Sequence, residues 1–112
     1  ARPVSTTTRP GRASTSAAFF RKALARNPMH PDALMQMAEL AQEGGNGLQA
    51  RAFLERYNAV APVTAASLWL GRNIELGLGD AAQAARYSQR LKNEFPTSEE
   101  ASRLFEAERA KP

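Results

Sequence analysis

The sequence lacks cysteine and has a single histidine, and both features restrict what the chain can do. Without cysteine it can form no disulfide, thiolate metal site or cysteine nucleophile. No apolar stretch approaches the ~20 residues that span a bilayer, and no charged segment followed by an apolar one resembles a secretory signal. We therefore expect a soluble, mostly helical binding module that is not an enzyme and needs no cofactor or metal.

The net charge of +4 comes from 15 Lys and Arg residues against 11 Asp and Glu residues. Arg2, Arg9 and Arg12 lie in an N-terminal stretch that contains no acid, so the charges of the remaining chain are nearly balanced. A basic stripe that could neutralise phosphates is therefore not indicated, and we expect no nucleic-acid partner.

The first 15 residues differ in composition from everything after them. They contain two prolines, a glycine and several serines and threonines, and almost nothing that could be buried. Because such a segment cannot offset the entropy lost on ordering, we predict a flexible tail over residues 1–15 and one folded domain over residues 16–112.

The folded part repeats with a period of 34 residues. Four sets of similar residues recur at this interval, each at the same position within the repeat. They are Pro28, Pro62 and Pro96; Phe19, Phe53 and Tyr87; Ser16, Ala50 and Ala84; and Lys22, Arg56 and Arg90. Since chance would align single pairs rather than whole sets, the spacing indicates an internal repeat.

Each unit is predicted to be a pair of helices joined by a glycine-containing turn and ended by proline. The predicted helices are 16–27, 32–43, 48–60, 65–78, 81–95 and a last helix that starts with a capping box at residues 97–100 and ends near residue 111. The fold is therefore predicted to be all-α. It has the second helix of a partial repeat at 16–28, full repeats at 31–62 and 65–96, and a capping helix at 97–111.

This pattern resembles the tetratricopeptide repeat, a helix-turn-helix unit with small, aromatic and proline residues in this phase. Leu34 and Leu68 stand where that family usually has a larger residue, and Ala38 and Arg72 stand near its usual glycine. The resemblance implies an α-α superhelix of helical hairpins.

A narrower resemblance lies in the segments SLWLG, LGD and FP of the second full repeat. They are similar to the C-terminal repeats of type IV pilus biogenesis/stability proteins, which are tetratricopeptide lipoproteins that act as pilotins for the outer-membrane secretin. The resemblance implies a scaffold that assists localisation and assembly of the pilus secretin at the periplasmic face of the outer membrane. It also implies that this chain corresponds to the C-terminal part of such a protein, without the family's lipid-bearing cysteine.

The resemblance implies a protein partner, either the pilus secretin or another pilus assembly component. Contact with a membrane would require the family's lipid anchor. The alternative function is that of a generic bacterial tetratricopeptide adaptor or co-chaperone with another client.

The first helix of each pair is expected to line the inner, concave face of the superhelix, where partners bind. The candidate binding residues on this mapping are Met35, Gln36 and Glu39 in one repeat and Trp69, Leu70 and Asn73 in the next. Tryptophan offers a large contact area and a polar group, so Trp69 is the best candidate anchor. Packing of Trp69 against the neighbouring hairpin is the alternative.

The remaining polar residues are expected to be structural. The acids of the last helix and His30 form no catalytic or metal-binding arrangement, and the recurring bases Lys22, Arg56 and Arg90 are expected on the outer side, solvated or against an anionic partner. Phe19 and Phe20 lie on the first predicted helix, at the end of the array. Since end repeats lack a neighbour, we expect Phe19 or Phe20 to be at least partly exposed and the chain to self-associate through this end.

The repeat phase makes a testable prediction at Ala50 and Ala84. Both should lie where the two helices of a pair come closest, so leucine at either position should overpack the contact and lower the free energy of unfolding by roughly 1–3 kcal/mol. Thermal melts would measure the loss. Melts unchanged by both substitutions would mean that the repeat phase is wrongly assigned.

Overall fold

The computed structural model describes residues 8–110, with side chains from Ala17 onwards, and this part of the chain contains helices and no β-strand. The helices are α1 (Thr8–Arg26), α2 (Pro31–Glu43), α3 (Gly47–Val60), α4 (Ala65–Leu78), α5 (Ala81–Glu94) and α6 (Glu99–Arg109). Helices α2 and α3 form one hairpin, α4 and α5 form the next, and α6 packs on both helices of the second. The predicted all-α array of helical hairpins is confirmed.

The first helix begins earlier than predicted. Helix α1 starts at Thr8, so the prediction of a flexible tail over residues 1–15 is wrong for residues 8–15, while residues 1–7 lie outside the described part. Pro10 is compatible with this start because it falls in the first turn, where a missing N–H costs no helical hydrogen bond. From residue 12 to residue 27 the sequence has neither glycine nor proline, so nothing there interrupts the helix.

Both hairpin turns depend on a glycine with positive φ. Gly45 has φ of 79° and Gly79 has φ of 84°, a region that an L side chain rarely adopts. The next residue in each turn, Asn46 or Asp80, accepts a hydrogen bond from the backbone N–H three residues further on. Each turn therefore ends one helix and caps the next, which explains why the same pair of residue types recurs one repeat apart.

The start of α6 differs from the prediction. Ser98 is the N-cap, and its side chain accepts from the backbone N–H three residues further on, so the capping box predicted for residues 97–100 is absent. The Ser98 hydroxyl also donates to the Phe95 carbonyl at 2.8 Å, and this second bond holds it at the cap. A capping box occurs instead at the start of α4, between Thr64 and Ser67.

Two apolar clusters form the core. The first joins α2, α3 and α4 and consists of Leu34, Ala38, Ala41, Ala50, Leu54, Tyr57, Leu70 and Ile74. The second joins α4, α5 and α6 and consists of Leu68, Leu91, Ala101 and Leu104. Helix α4 thus contributes to both clusters, and none of the described helices is long and apolar enough to cross a bilayer.

The second hairpin contains a close contact between α4 and the ring of Tyr87 on α5. A Cβ atom added to Gly71 would lie 2.5 Å from Cε1 and Cζ of Tyr87, so the ring occupies the space that an alanine would need. Gly77 on the same helix has room, because the nearest atom to its added Cβ would be Gln42 Nε2 at 4.0 Å. The two glycines therefore have opposite roles in one helix.

We expect Gly71→Ala to lower the free energy of unfolding by roughly 1–3 kcal/mol, because overpacking against Tyr87 outweighs the gain in helix propensity. Gly77→Ala is the matched control and should raise the free energy of unfolding by about 0.5–1 kcal/mol. Urea unfolding would measure both variants. Stabilisation by both substitutions would contradict the close contact.

Candidate protein-binding face

Five of the six candidate binding residues are partly exposed, and they lie on the neighbouring helices α2 and α4. The two helices lie side by side, and the Gln42 side chain of α2 donates from Nε2 to the backbone carbonyl of Asn73 on α4 at 3.5 Å. The partly exposed residues are Met35, Gln36 and Glu39 on α2 and Trp69 and Asn73 on α4. This surface is named the α2–α4 face below. Residues four apart share one side of a helix, which places Trp69 and Asn73 together.

Leu70 is the exception among the candidates. Its side chain is only 9% exposed and packs in the first core cluster, which also contains Leu34 and Ile74. The corresponding position in the first hairpin is Gln36, which is partly exposed. Leu70 therefore joins the two hairpins and offers little surface to a partner.

Trp69 has a packing role and an exposed part. Its side chain packs against the second core cluster, while the guanidinium of Arg72 lies over the indole ring, 4.9 Å from the ring centroid. Arg72 also donates from Nη1 to Oδ1 of Asn73 at 2.8 Å. The face thus combines an aromatic surface with a positive charge beside it. The spacing of three residues between Trp69 and Arg72 is the sequence feature that could have indicated this pair.

An ion pair between Arg51 and Glu75 joins the two hairpins. The Glu75 residue is only 3% exposed, and both of its carboxylate oxygens accept hydrogen bonds from Arg51, with 3.0 Å between Arg51 Nε and Glu75 Oε2. The hydrogen bond with Glu75 raises the pKa of Arg51 above its ordinary value, although desolvation acts against it. Since α3 carries Arg51 and α4 carries Glu75, this contact fixes one hairpin against the next. Sequence analysis missed it because neither residue recurs in the other repeat.

Two of the three recurring bases have structural partners. Arg56 donates from Nη2 to the carbonyl of Pro28 in the loop that precedes its hairpin, and its guanidinium lies 5.7 Å from the ring centroid of Phe53. Arg90 pairs with Glu94 one turn further along α5, at 2.9 Å. Arg56 therefore joins its helix to the preceding loop, and Arg90 forms an ion pair within α5.

His30 and Glu108 of α6 also have structural contacts. His30 caps α2, because its Nδ1 accepts from the backbone N–H of Ala33 at 3.3 Å. Glu108 pairs with Lys92 of α5 at 2.7 Å. In the described ranges, no group of three or more His, Cys, Asp or Glu side chains is placed to hold a metal ion.

A groove of about 630 Å³ lies between α3 and α5. Its lining includes Tyr87 and the two arginines Arg86 and Arg90. The pKa of Tyr87 is raised above its ordinary value, mainly by burial and to a smaller extent by the negative charge of Glu75. The phenol is therefore uncharged at neutral pH. The sequence period marks Tyr87 only as one of the aromatic residues that recur every 34 positions, so it did not indicate this groove.

Helical hairpins that repeat along the chain and bury their apolar faces against one another define an α-helical repeat protein, a class whose extended surfaces bind other proteins. Family models described as the tetratricopeptide repeat match residues 9–72 and residues 65–98. The first match alone covers more than half of the chain, so the chain belongs to the tetratricopeptide repeat family. It is therefore a protein-interaction scaffold by fold, and the match from residue 9 agrees with the early start of α1.

One solved structure that is similar to this chain is the crystal structure of PilW, a widely conserved type IV pilus biogenesis factor. The two share 29% sequence identity and superpose with a TM-score of 0.77. The similarity covers 86% of this chain and 44% of the PilW chain, so this chain spans less than half of that protein. A comparison with curated proteins finds no match.

We expect Arg51→Met to destabilise the fold, because it leaves the Glu75 carboxylate buried without its charged partner. The double variant Arg51→Met/Glu75→Leu should recover most of the loss, since replacing a buried ion pair by apolar residues is often close to neutral. Arg90→Met is the control, because it removes an exposed pair on one helix, which contributes little.

Denaturant unfolding of the three variants would test this prediction. The prediction would be contradicted by a double variant as unstable as Arg51→Met, or by an Arg90→Met variant that loses as much stability. Either result would show that the stability lost in Arg51→Met does not come from leaving the Glu75 carboxylate unpaired.

Proposed function

We propose that this chain is a protein-binding scaffold of the type IV pilus machinery that assists outer-membrane localisation and assembly of the pilus secretin. The observation that carries the proposal is its likeness to PilW at 29% identity over 86% of the chain, because a shared tetratricopeptide fold alone would fit many clients. The proposed location is the periplasmic face of the outer membrane.

The α2–α4 face is the proposed contact surface for the secretin. Trp69 supplies the aromatic anchor, and the Arg72 guanidinium over its ring supplies a positive charge at the same place. Gln36, Glu39 and Asn73 are the partly exposed polar candidates on the same two helices. Such a surface fits a segment whose apolar side chain packs beside Trp69 and whose carboxylate or carbonyl faces Arg72.

We expect Trp69→Ala to weaken secretin binding at least ~10-fold, because loss of a central aromatic anchor typically costs ≥ 2 kcal/mol of binding free energy. The immobilised chain would capture secretin from a bacterial envelope extract, detected by antibody, and a titration with purified secretin would give the Kd. Leu48→Ala is the matched control, since Leu48 is an exposed apolar residue on α3, outside the α2–α4 face.

Because Trp69 also packs against the core, a second variant is needed. Arg72→Gln removes the charge beside the ring, and it should weaken binding while thermal melts show a folded protein. Secretin binding unchanged in both variants would refute the α2–α4 face as the contact surface. No secretin capture by the unaltered chain would refute the pilus assignment, and capture of a different, identified client would favour the adaptor function.

A further inference from the structure

The groove of about 630 Å³ between α3 and α5 is formed by the second helices of the two complete hairpins and by the loop that follows α3. It therefore lies inside the array, between two complete repeats. One wall includes the apolar residues 61–63 of the loop. The other wall consists of four side chains that share one side of α5, namely Gln83, Arg86, Tyr87 and Arg90. This surface is named the α3–α5 groove.

The equivalent place one repeat earlier is bridged by an arginine. Arg56 of α3 donates to the carbonyl of Pro28, so its guanidinium joins the helix to the preceding loop. Arg90 stands one repeat length after Arg56, but both hydrogen bonds recorded for its guanidinium go to Glu94, where the first repeat has Val60. In the described part of the chain, the α3–α5 groove therefore lacks the arginine bridge of the first repeat.

The second repeat also adds two polar groups to this groove. Arg86 stands one repeat length after Ala52, and Tyr87 stands one repeat length after Phe53. The second repeat thus has a guanidinium and a hydroxyl where the first has a methyl group and a plain ring. Because the first hairpin packs without either group, the fold does not require them. The Tyr87 ring packs on Gly71, which fixes its position in the groove.

The Arg86 guanidinium can accept a further partner. Its Nη1 donates to the uncharged side-chain amide of Gln83 at 2.7 Å, and the ion pairs recorded among the described residues do not include it. A guanidinium has five N–H donors, and the contact with Gln83 uses one of them. A carboxylate is the group that can accept two parallel hydrogen bonds from the others.

We propose that the α3–α5 groove binds an extended peptide segment of a protein partner, in which an aspartate or glutamate lies next to an apolar side chain. The carboxylate accepts from Arg86, the Tyr87 hydroxyl donates to the same segment, and the apolar side chain packs on Pro62 and Val63. The groove volume lies within the ~300–1,000 Å³ of typical ligand pockets, which suits a few side chains.

A single available guanidinium beside an apolar wall favours such a peptide over a lipid surface, since lipid surfaces attract clusters of bases. The α2–α4 face lies on the first helices of the hairpins, whereas the α3–α5 groove lies on the second helices. The proposal therefore adds a second binding site to the proposed function.

Selection from a display library of random eight-residue peptides tests this proposal. The immobilised 112-residue chain selects the peptides, after those that bind the Arg86→Ala chain have been removed. Alanine is the residue of the first repeat at this position, and Arg86 is exposed, so thermal melts should show a folded variant. We expect the selected peptides to share an acidic residue beside an apolar one. Selected peptides without an acidic residue, or no enrichment at all, would overturn the proposal.

Fluorescence anisotropy of one selected peptide measures the contribution of each group. Arg86→Ala should raise the Kd at least ~10-fold, and Tyr87→Phe should raise it roughly 2- to 10-fold, because a hydrogen bond to a charged group contributes more than a neutral one. Arg103→Ala is the matched control, since Arg103 is an exposed arginine of α6 that pairs with Glu99 on its own helix. Its Kd should equal that of the unaltered chain.

A version of the peptide with an amide in place of the carboxylate completes the test. It should bind the unaltered chain as weakly as the acidic peptide binds Arg86→Ala, and the two losses should not add, because both remove the same contact. Equal affinity for the acid and the amide, or fully additive losses, would overturn the proposal.

Vesicles of phosphatidylglycerol distinguish a lipid from a peptide. Cosedimentation of the unaltered chain but not of Arg86→Ala with these vesicles, without an acidic peptide from the selection, would assign the groove to a lipid headgroup and overturn the proposal. None of these outcomes depends on secretin, so the proposal and the pilus function can fail separately.

Discussion

Each hairpin in this protein buries only part of its apolar surface by itself, and the rest is buried by the next hairpin. Helix α4 shows this most clearly, because Leu70 and Ile74 belong to the first core cluster and Leu68 belongs to the second. One helix therefore serves two neighbours, and the stability of each hairpin depends on the adjacent one. The regular spacing of turns, prolines and small residues follows from this requirement, since every hairpin must present its faces at the same place.

The two full repeats meet this requirement with different side chains. At one position of the first helix the first repeat has Met37 and the second has Gly71, and the ring of Tyr87 fills the space that the glycine leaves. At another, a buried alanine, Ala41, corresponds to the buried Glu75, which is accommodated because α3 supplies Arg51. At these two positions the repeats differ in residue type, and a neighbouring side chain fills the space beside Gly71 or pairs with the charge of Glu75.

Much of the fold could be predicted from the sequence because helix ends and turns are local. Proline, glycine with positive φ and the capping residues after it act over a few residues, and the bounds of α4 were predicted without error. The start of α1 was not, because the composition of residues 1–15 was interpreted as a flexible tail, although Pro10 is compatible with a first turn. Composition alone could not distinguish a tail from a helix start there.

The candidate face was only partly predictable because its residues are adjacent in sequence but differ in surroundings. Trp69 and Leu70 point about 100° apart around the helix, and the position of the preceding hairpin decides that Leu70 is buried while Trp69 is partly exposed. The contact between the hairpins could not be predicted from the 34-residue period for another reason. Arg51 and Glu75 are each present in only one of the two full repeats, so the repeat pattern does not mark them.

The Arg51–Glu75 pair has a geometric consequence beyond its effect on folding. The hydrophobic effect has no preferred direction, whereas two parallel hydrogen bonds to one carboxylate add a specific orientation. The pair spans the joint between α3 and α4, and the α2–α4 face crosses that same joint. The pair therefore contributes to the angle between the two hairpins, and with it to the curvature of the face that we propose a partner contacts.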